Sequence, residues 1–437
     1  MKISDTNYGG WGRTHLSRSR AFKLPMDSFL SPYESGPIIP RGNGLSYGDA
    51  STLENGSVLL NSNFHGLSID GDILTVGSGE TISSTTKFLR EKQYELPVVP
   101  GTGNVTIGGA ISADIHGKNH HKVGSFGNHV LELEVDIPNQ GRIWIKRSDP
   151  GLAFASFIGG MGLTGLIYRA KLKVVPVLSD YVRINRLSGS GFTSLLEILR
   201  GESLSDTYSI AWIDLARISQ TKDPRWILDS GNDEYGRFDS TQKPKQLSIK
   251  LPLIPVTWPK PIIQLANNFL YKASSKSPLH SVRKASYFHP LDRVANWNRA
   301  IGRRGFVEYQ FVLPFESALA ALTEISKVLV EDQQFAVFAG IKSMGSASTG
   351  LLSFPMEGIT LAMDIQVKGH QPHVALDLID KVVLNAGGRV YLAKDSRLSA
   401  DVFKLMYPKA KLFSELRFAS GCTGKIASDM SLRLEIE

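Results

Sequence analysis

Three glycine-rich loops within the first 170 residues constrain this chain more than any other feature. They read IPRGNGLSYGDAS (39–51), PGTGNVTIGGAISADIHG (100–117) and GGMGLTGLIYRA (159–170). Glycine has no Cβ, so Gly42, Gly44 and Gly48 let the backbone approach another group closely or turn with φ > 0. Successive free N–H groups in such a loop form a nest for an anion such as a pyrophosphate. One such loop reads as an ordinary turn. Three of them, with Thr102 and Thr106 as hydroxyl donors, point to a nucleotide cofactor. The third contains a formal G-x-G-x-x-G at Gly160, Gly162 and Gly165. It leads into a β-type run instead of opening a helix, so it is not a Rossmann fingerprint for NAD.

The loops are spaced by short β-type runs: SVLLN (57–61), DILTVGSG (72–79), YELPVVPGTG (94–103), VLELEVDI (130–137), RIWIKR (142–147) and GLIYRAKLKVVPV (165–177). TISSTTKFLREKQ (81–93) predicts a helix capped by Thr81 or Ser83. From about residue 180, helical patterns at 192–201, 315–332 and 372–388 alternate with strand patterns at 208–216, 305–314, 334–343 and 358–367. This is an α+β chain, its second half an antiparallel sheet covered by helices. At 437 residues it exceeds the size of one core. The expected division is 1–178, 179–390 and a C-terminal segment 391–437 that returns to the first domain. YLAKDSRLSADVFKLMYP (391–408) is expected to be helical.

The net charge is +8 and the sequence pI about 9.3. That balance suits anionic partners such as phosphate groups or lipid head groups. No recognition motif accompanies it, so nucleic acid is not an expected partner. Between Asp239 and Asp292 there is no acidic residue, while Lys243, Lys245, Lys250, Lys260, Lys272, Lys276, Arg283 and Lys284 are interleaved with Trp258, Ile262, Leu265 and Phe269. The stretch 240–291 reads either as a basic amphipathic contact with an anionic membrane or as a solvated excursion. The N-terminus carries no apolar h-region and no run of 18 apolar residues occurs, so a cytoplasmic location, peripheral to the inner face of the membrane, is expected. Cys422 is the only cysteine, which excludes a disulfide framework and reads as a small buried hydrophobe.

ADIHGKNHHKVGSFGNHV (113–130) holds His116, His120, His121 and His129. His116 and His120 have the spacing of one helix face, but Gly117, Asn119 and Gly124 argue against a helix there, and no metal site is expected.

RGNGLSYGD, PGTGNVTIGGAISADIHGKNHHKVGSFGNHV and GLTGLIYRA together resemble the PCMH-type FAD domain of the vanillyl-alcohol-oxidase superfamily. Within it the chain resembles the decaprenylphosphoryl-β-D-ribose 2-oxidase family. The likeness continues through 287–314 and YLAKDSR (391–397) to ASDMSLRLE (427–435), nearly the whole chain. It implies FAD contacts from Pro40, Arg41, Gly42, Asn43, Gly44, Leu45, Ser46, Tyr47, Gly48, Asp49 and Ala50 in the first loop. Further contacts follow from Gly101, Thr106, Ile107, Gly108 and Gly109, from Ala113, Asp114, Ile115 and His116, and from Ile167 and Tyr391. Covalent relatives place a histidine where this chain has Leu45, so the flavin is expected to be non-covalent.

The resemblance also implies a sugar site of Tyr47, Lys118, Gln310 and Lys342, with Lys394 and His116 as rival bases. Lys394 would serve if burial beside other cations lowered its pKa; an imidazole starts near 6.5. The implied reaction oxidises the 2-hydroxyl of a polyprenylphosphoryl-β-D-ribose to the 2-keto sugar, which an NAD(P)H-dependent reductase would complete as an epimerisation. The alternative is a sugar, alditol or aldonolactone oxidase acting on a soluble substrate. Two departures stand out. Ala362 occupies the position of a cysteine that mycobacterial members use to trap nitroaromatic inhibitors, and Glu308 replaces a glutamine of the family's QYQF pattern. Trp212 matches a substrate-domain tryptophan, with core packing as an equally good reading.

Overall fold

The computed structural model describes residues 4–27, 33, 36–201, 204–219, 223–238, 249–250, 257–274, 279–302, 304–367 and 371–436. Lys243, Lys245 and Lys276 of the basic stretch lie outside the described residues.

The N-terminal part is built on two sheets. One runs in the order Ser4–Gly9, Leu16–Phe22, Ser57–Leu60, Ile38–Arg41. The other runs Leu67–Asp70, Ile73–Gly77, Leu166–Lys173, Val130–Ile137, Gly141–Lys146 and is antiparallel throughout. The helix Ile82–Glu91 forms as its sequence predicts. Thr81 accepts from the Ser84 N–H at 3.0 Å, and the Ser84 hydroxyl accepts from the Thr81 N–H in return. The run 94–103 is a strand only at Tyr94–Glu95. Pro97 and Pro100 remove ladder donors, and residues 99–102 instead form part of a cavity wall.

The second half is an eight-stranded sheet in the order Leu279–Arg283, Tyr181–Ser190, Arg225–Asp233, Tyr208–Ile213, Ala336–Met344, Gly358–Gln366, Phe306–Leu313, Arg389–Val390. Every pairing in it is antiparallel. The helices Phe192–Arg200, Phe315–Glu331 and Gln371–Asn385 cover one face. Because side chains alternate along a strand, Val307, Tyr309 and Phe311 enter that core while Glu308 and Gln310 face the other way. Likewise Leu361 and Met363 are core, and Thr360, Ala362 and Asp364 are not. The sheet is thus apolar towards its helices and polar towards the N-terminal part.

The C-terminal residues lie against the N-terminal loops. Arg433 donates to both Asp49 oxygens at 2.8 Å, and the fully buried Arg417 donates to the carbonyls of Leu163, Ile426 and Ile436. The expected helix over 391–408 is confined to Ala400–Met406. Asp395 Oδ1 accepts from the N–H groups of Arg397 and Leu398 at 2.9 Å, and this side-chain turn holds 391–399 out of the helix.

Candidate active site

A cavity of about 970 Å³ separates the polar face of the large sheet from the glycine loops. The register of the sheet assembles one wall. Glu308 is paired with Asp364, Gln310 with Ala362, and Lys342 with Thr360, so these side chains sit side by side on one face. The turn at 391–399 adds Lys394, and the loop after the helix Ile107–Ser112 adds His116 and Lys118.

His116 is enclosed. Its Nδ1 lies 2.8 Å from Lys342 Nζ and its Nε2 3.1 Å from Gln310 Nε2, with its ring beside the stacked rings of Phe354 and Tyr391. Burial, reinforced by Lys342, His120 and Lys394, pushes its pKa well below the ordinary imidazole value, so it is neutral. Lys342 also donates to the Gly117 carbonyl at 2.6 Å, and burial beside Lys118 and Lys394 lowers it to about 7. Lys118 lies 3.7 Å over the Tyr287 ring, donates to the Tyr287 carbonyl, and is lowered by burial to about 8.

Lys394 does not have the environment expected of it. Its Nζ is ion-paired with Glu308 Oε2 at 2.9 Å and stands 3.7 Å over the Tyr47 ring. The amine that burial and neighbouring cations depress is Lys342. Both ring nitrogens of His116 lie within hydrogen-bond distance of protein groups, Gln310 and Lys342. Burial first, and then Glu308, raises Asp364 well above the ordinary carboxylate value, so it keeps its proton to higher pH than a free carboxyl does.

The remaining three histidines of the cluster each bond a backbone group. His120 Nδ1 accepts from the Gly345 N–H at 2.9 Å, while His121 and His129 approach the carbonyls of Asp206 and Val123 at 2.8 and 3.0 Å. A short helix does form at His120–Val123, but it begins after Asn119, leaving His116 in a bridge to Ser125. Among the described residues no group of three or more His, Cys, Asp or Glu is placed to hold a metal ion.

The opposite wall is made of Pro40, Arg41, Gly42, Asn43, Gly44, Leu45, Ser46, Tyr47 and Ala50, with Gly101, Thr106, Gly108, Gly109, Ala113, Ile115, Ile167 and Tyr391. Four residues implied for the cofactor lie elsewhere. Asp49 is held by Arg433, Ile107 is fully buried in the core, and Asp114 Oδ1 accepts from the Gly127 N–H at 2.8 Å. Gly48 packs against chain: a Cβ there would meet the Asp395 carbonyl at 2.0 Å. The cavity also has walls that the sequence does not point to, including Trp11, Asn61, Ser78, Arg186, Asp229, Asp292, Trp297, Thr360 and Asp364. For Asp229, Thr360 and Asp364 a signal existed: polar residues inside otherwise apolar strand patterns.

These loops fit an FAD. Gly44 has φ +66°, Gly162 +77° and Gly165 +149°, conformations that side chains resist. A Cβ on Gly42 would meet Thr106 Oγ1 at 2.3 Å, so the backbone there is bare by necessity. Ser78 Oγ is buried on the cavity wall without a protein partner, the position of a hydroxyl kept for a ligand.

Comparison with known proteins gives the same cofactor. An FAD binding domain family matches residues 33–145. A decaprenylphosphoryl-beta-D-ribose oxidase of Mycolicibacterium smegmatis is 33% identical over 98% of this chain and 97% of its own length. An uncharacterised Streptomyces coelicolor protein is 30% identical over 78% of this chain and 95% of its own. A D-lactate dehydrogenase of Archaeoglobus fulgidus is 28% identical over 34% of this chain and 35% of its own. Identity at the first of these levels, over nearly the full length of both chains, places the protein in the decaprenylphosphoryl-β-D-ribose oxidase family, as an α+β, two-domain FAD-dependent oxidase.

Proposed function

We propose that the enzyme oxidises the 2-hydroxyl of a polyprenylphosphoryl-β-D-ribose to the 2-keto sugar. The supporting observation is that Tyr47, His116, Lys118, Gln310, Lys342 and Lys394 all line the one cavity that the glycine loops also line. Residues 1–178 then form the FAD-binding unit and 179–390 the substrate unit. Leu45 leaves the flavin non-covalent, because leucine has no nucleophilic atom. The bound FAD supplies the hydride acceptor for the carbinol carbon.

The protein's own task is the hydroxyl proton. Lys394 Nζ takes it while passing a proton to Glu308, whose carboxylate is 2.9 Å away. Lys118 and Lys342 hold the sugar's oxygens or the phosphate. The keto product calls for a reductase using NAD(P)H to complete an epimerisation.

The lipid tail also has a place to go. In the helix Lys260–Ser274, Leu270 and Ser274 line the cavity. On the same helix Leu265 and Phe269 are 71% and 77% exposed. A cavity opening beside an exposed apolar helix that carries lysines suits a lipid-linked substrate drawn from an anionic membrane surface. Among the described residues no helix is long and apolar enough to cross a membrane.

The test is anaerobic reduction of the bound flavin by polyprenylphosphoryl ribose, polyprenylphosphoryl arabinose and free sugars. Bleaching by the lipid-linked ribose is expected; bleaching by free sugars alone overturns the proposal in favour of a soluble-sugar oxidase.

A further inference from the structure

Beside the substrate wall runs a chain of four side chains whose hydrogen-bond directions are fixed from one end. Thr360 Oγ1 lies 2.8 Å from the Phe311 carbonyl. Two oxygens at that distance need a proton between them, and only the hydroxyl has one. Thr360 therefore donates to Phe311 and has only lone pairs left for its other neighbour. That neighbour is Gln310, whose amide nitrogen is 3.1 Å away, and the same nitrogen is 3.1 Å from His116 Nε2. The orientation of a glutamine amide is ordinarily ambiguous, but here the committed hydroxyl leaves one choice. Gln310 donates one hydrogen to Thr360 and the other to His116 Nε2. In a neutral imidazole the proton must then be on Nδ1, which points at Lys342 Nζ 2.8 Å away.

We propose that Thr360 is a positioning residue that, through Gln310, holds His116 as its Nδ1–H tautomer and so keeps Lys342 an uncharged amine in the resting enzyme. An ammonium has three hydrogens and no lone pair, so it cannot accept from Nδ1–H. An amine can. Its lone pair meets His116, one hydrogen goes to the Gly117 carbonyl at 2.6 Å, and the other is left for the cavity. Lys342 thus offers the sugar a hydrogen-bond donor without a charge, and it is not the group that takes the hydroxyl proton.

The charged and titratable surroundings agree. Lys118 and Lys394 bear on Lys342, and Lys342, Lys394 and His120 bear on His116, all opposing a further positive charge. His121 is affected by Lys342 as well. Glu308 and Asp364 occupy the same sheet face, but Glu308 is taken by Lys394 and burial pushes Asp364 towards its uncharged form. Tyr391, 5.5 Å from the His116 ring centre, donates its hydroxyl to the Ala113 carbonyl.

The proposal uses the reading of His116 and Lys342 as part of the substrate site, but its test involves no sugar, so the two can fail separately. FAD-loaded protein labelled with ¹⁵N-histidine is observed by long-range ¹H–¹⁵N correlation, with His116 assigned by the signal lost in His116→Gln. The expected wild-type spectrum at neutral pH has a protonated Nδ1 and a bare Nε2. Thr360→Val frees the amide to turn its oxygen to His116, and the signature should switch to Nε2–H. Thr360→Ser keeps the hydroxyl and should keep the wild-type signature. A wild-type Nε2–H signature overturns the proposal, and so does an unchanged signature in Thr360→Val. If the valine variant does not retain flavin, Thr360→Ala replaces it under the same criteria.

Discussion

Glu308 Oε2 lies 2.9 Å from Lys394 Nζ, and the same carboxylate accepts a hydrogen bond from the Tyr47 hydroxyl. The pair joins a strand of the large sheet to the turn at 391–399, so it positions the lysine over the cavity as well as neutralising it. Lys394→Met removes the proton acceptor while keeping the length of the side chain. Stopped-flow flavin reduction should slow by roughly 10²–10⁴-fold, the usual contribution of a positioned base, with the flavin absorbance of the loaded enzyme unchanged. A loss below tenfold would remove Lys394 from the proton-transfer step.

Asp364, cross-strand partner of Glu308, gives a stability profile of defined sign. Its native pKa is raised, so above the unfolded value of about 3.9 the folded state keeps a proton that the unfolded chain releases. Stability from this group therefore falls as pH rises from about 4. Asp364→Asn abolishes the effect. Thermal unfolding should show the variant gaining on the wild type between pH 5 and pH 8, by about 1.4 kcal/mol for each step of one in pH over which the native carboxyl keeps its proton. A gap that stays constant with pH would contradict the assignment.

Gly42→Ala tests the cofactor wall. The new methyl would sit 2.3 Å from Thr106 Oγ1, the atom that accepts from the Gly109 N–H at the start of the helix Ile107–Ser112. Losing that cap costs about 0.5–2 kcal/mol, and the loop must move away from the cavity. Fluorescence titration should report weaker FAD binding than in Gly109→Ala, where the nearest atom is 3.2 Å away.

Ala362 faces the cavity beside Gln310 and Gly340. Cys422, the only thiol, is fully buried and pushed up to about 11 by that burial. Intact-mass spectra of the wild type turned over with a thiol-trapping nitroaromatic should show no adduct, and Ala362→Cys should gain one.

Leu265→Asp with Phe269→Asp should reduce co-sedimentation with phosphatidylglycerol vesicles several-fold and leave reduction by a short-chain, detergent-soluble substrate unaffected. Both residues are outside the cavity wall, so loss of both properties together would mean that the helix itself had been disturbed.

Much of the fold was legible because it is local. Thr81 caps its helix, and the strands of the large sheet follow their apolar alternation. The failures were also local in origin. The apolar run 94–103 reads as a strand, yet its prolines cannot pair. The helical pattern of 391–399 yields to a single carboxylate capping two N–H groups.

The sequence by itself determined the glycine loops, which point to a nucleotide cofactor because a bare backbone is a property of residue type; FAD followed from the family resemblance those loops carry. It also determined which strand positions are polar. Only the tertiary structure decided what those positions do. Strand register set Glu308 beside Asp364, and chain return brought Lys394 to Glu308, pairing one lysine with a carboxylate while another, Lys342, is buried among cations. Protonation depends on burial and on neighbours a few ångströms away, and those neighbours come from distant segments, as with His116 and Lys342, 226 residues apart.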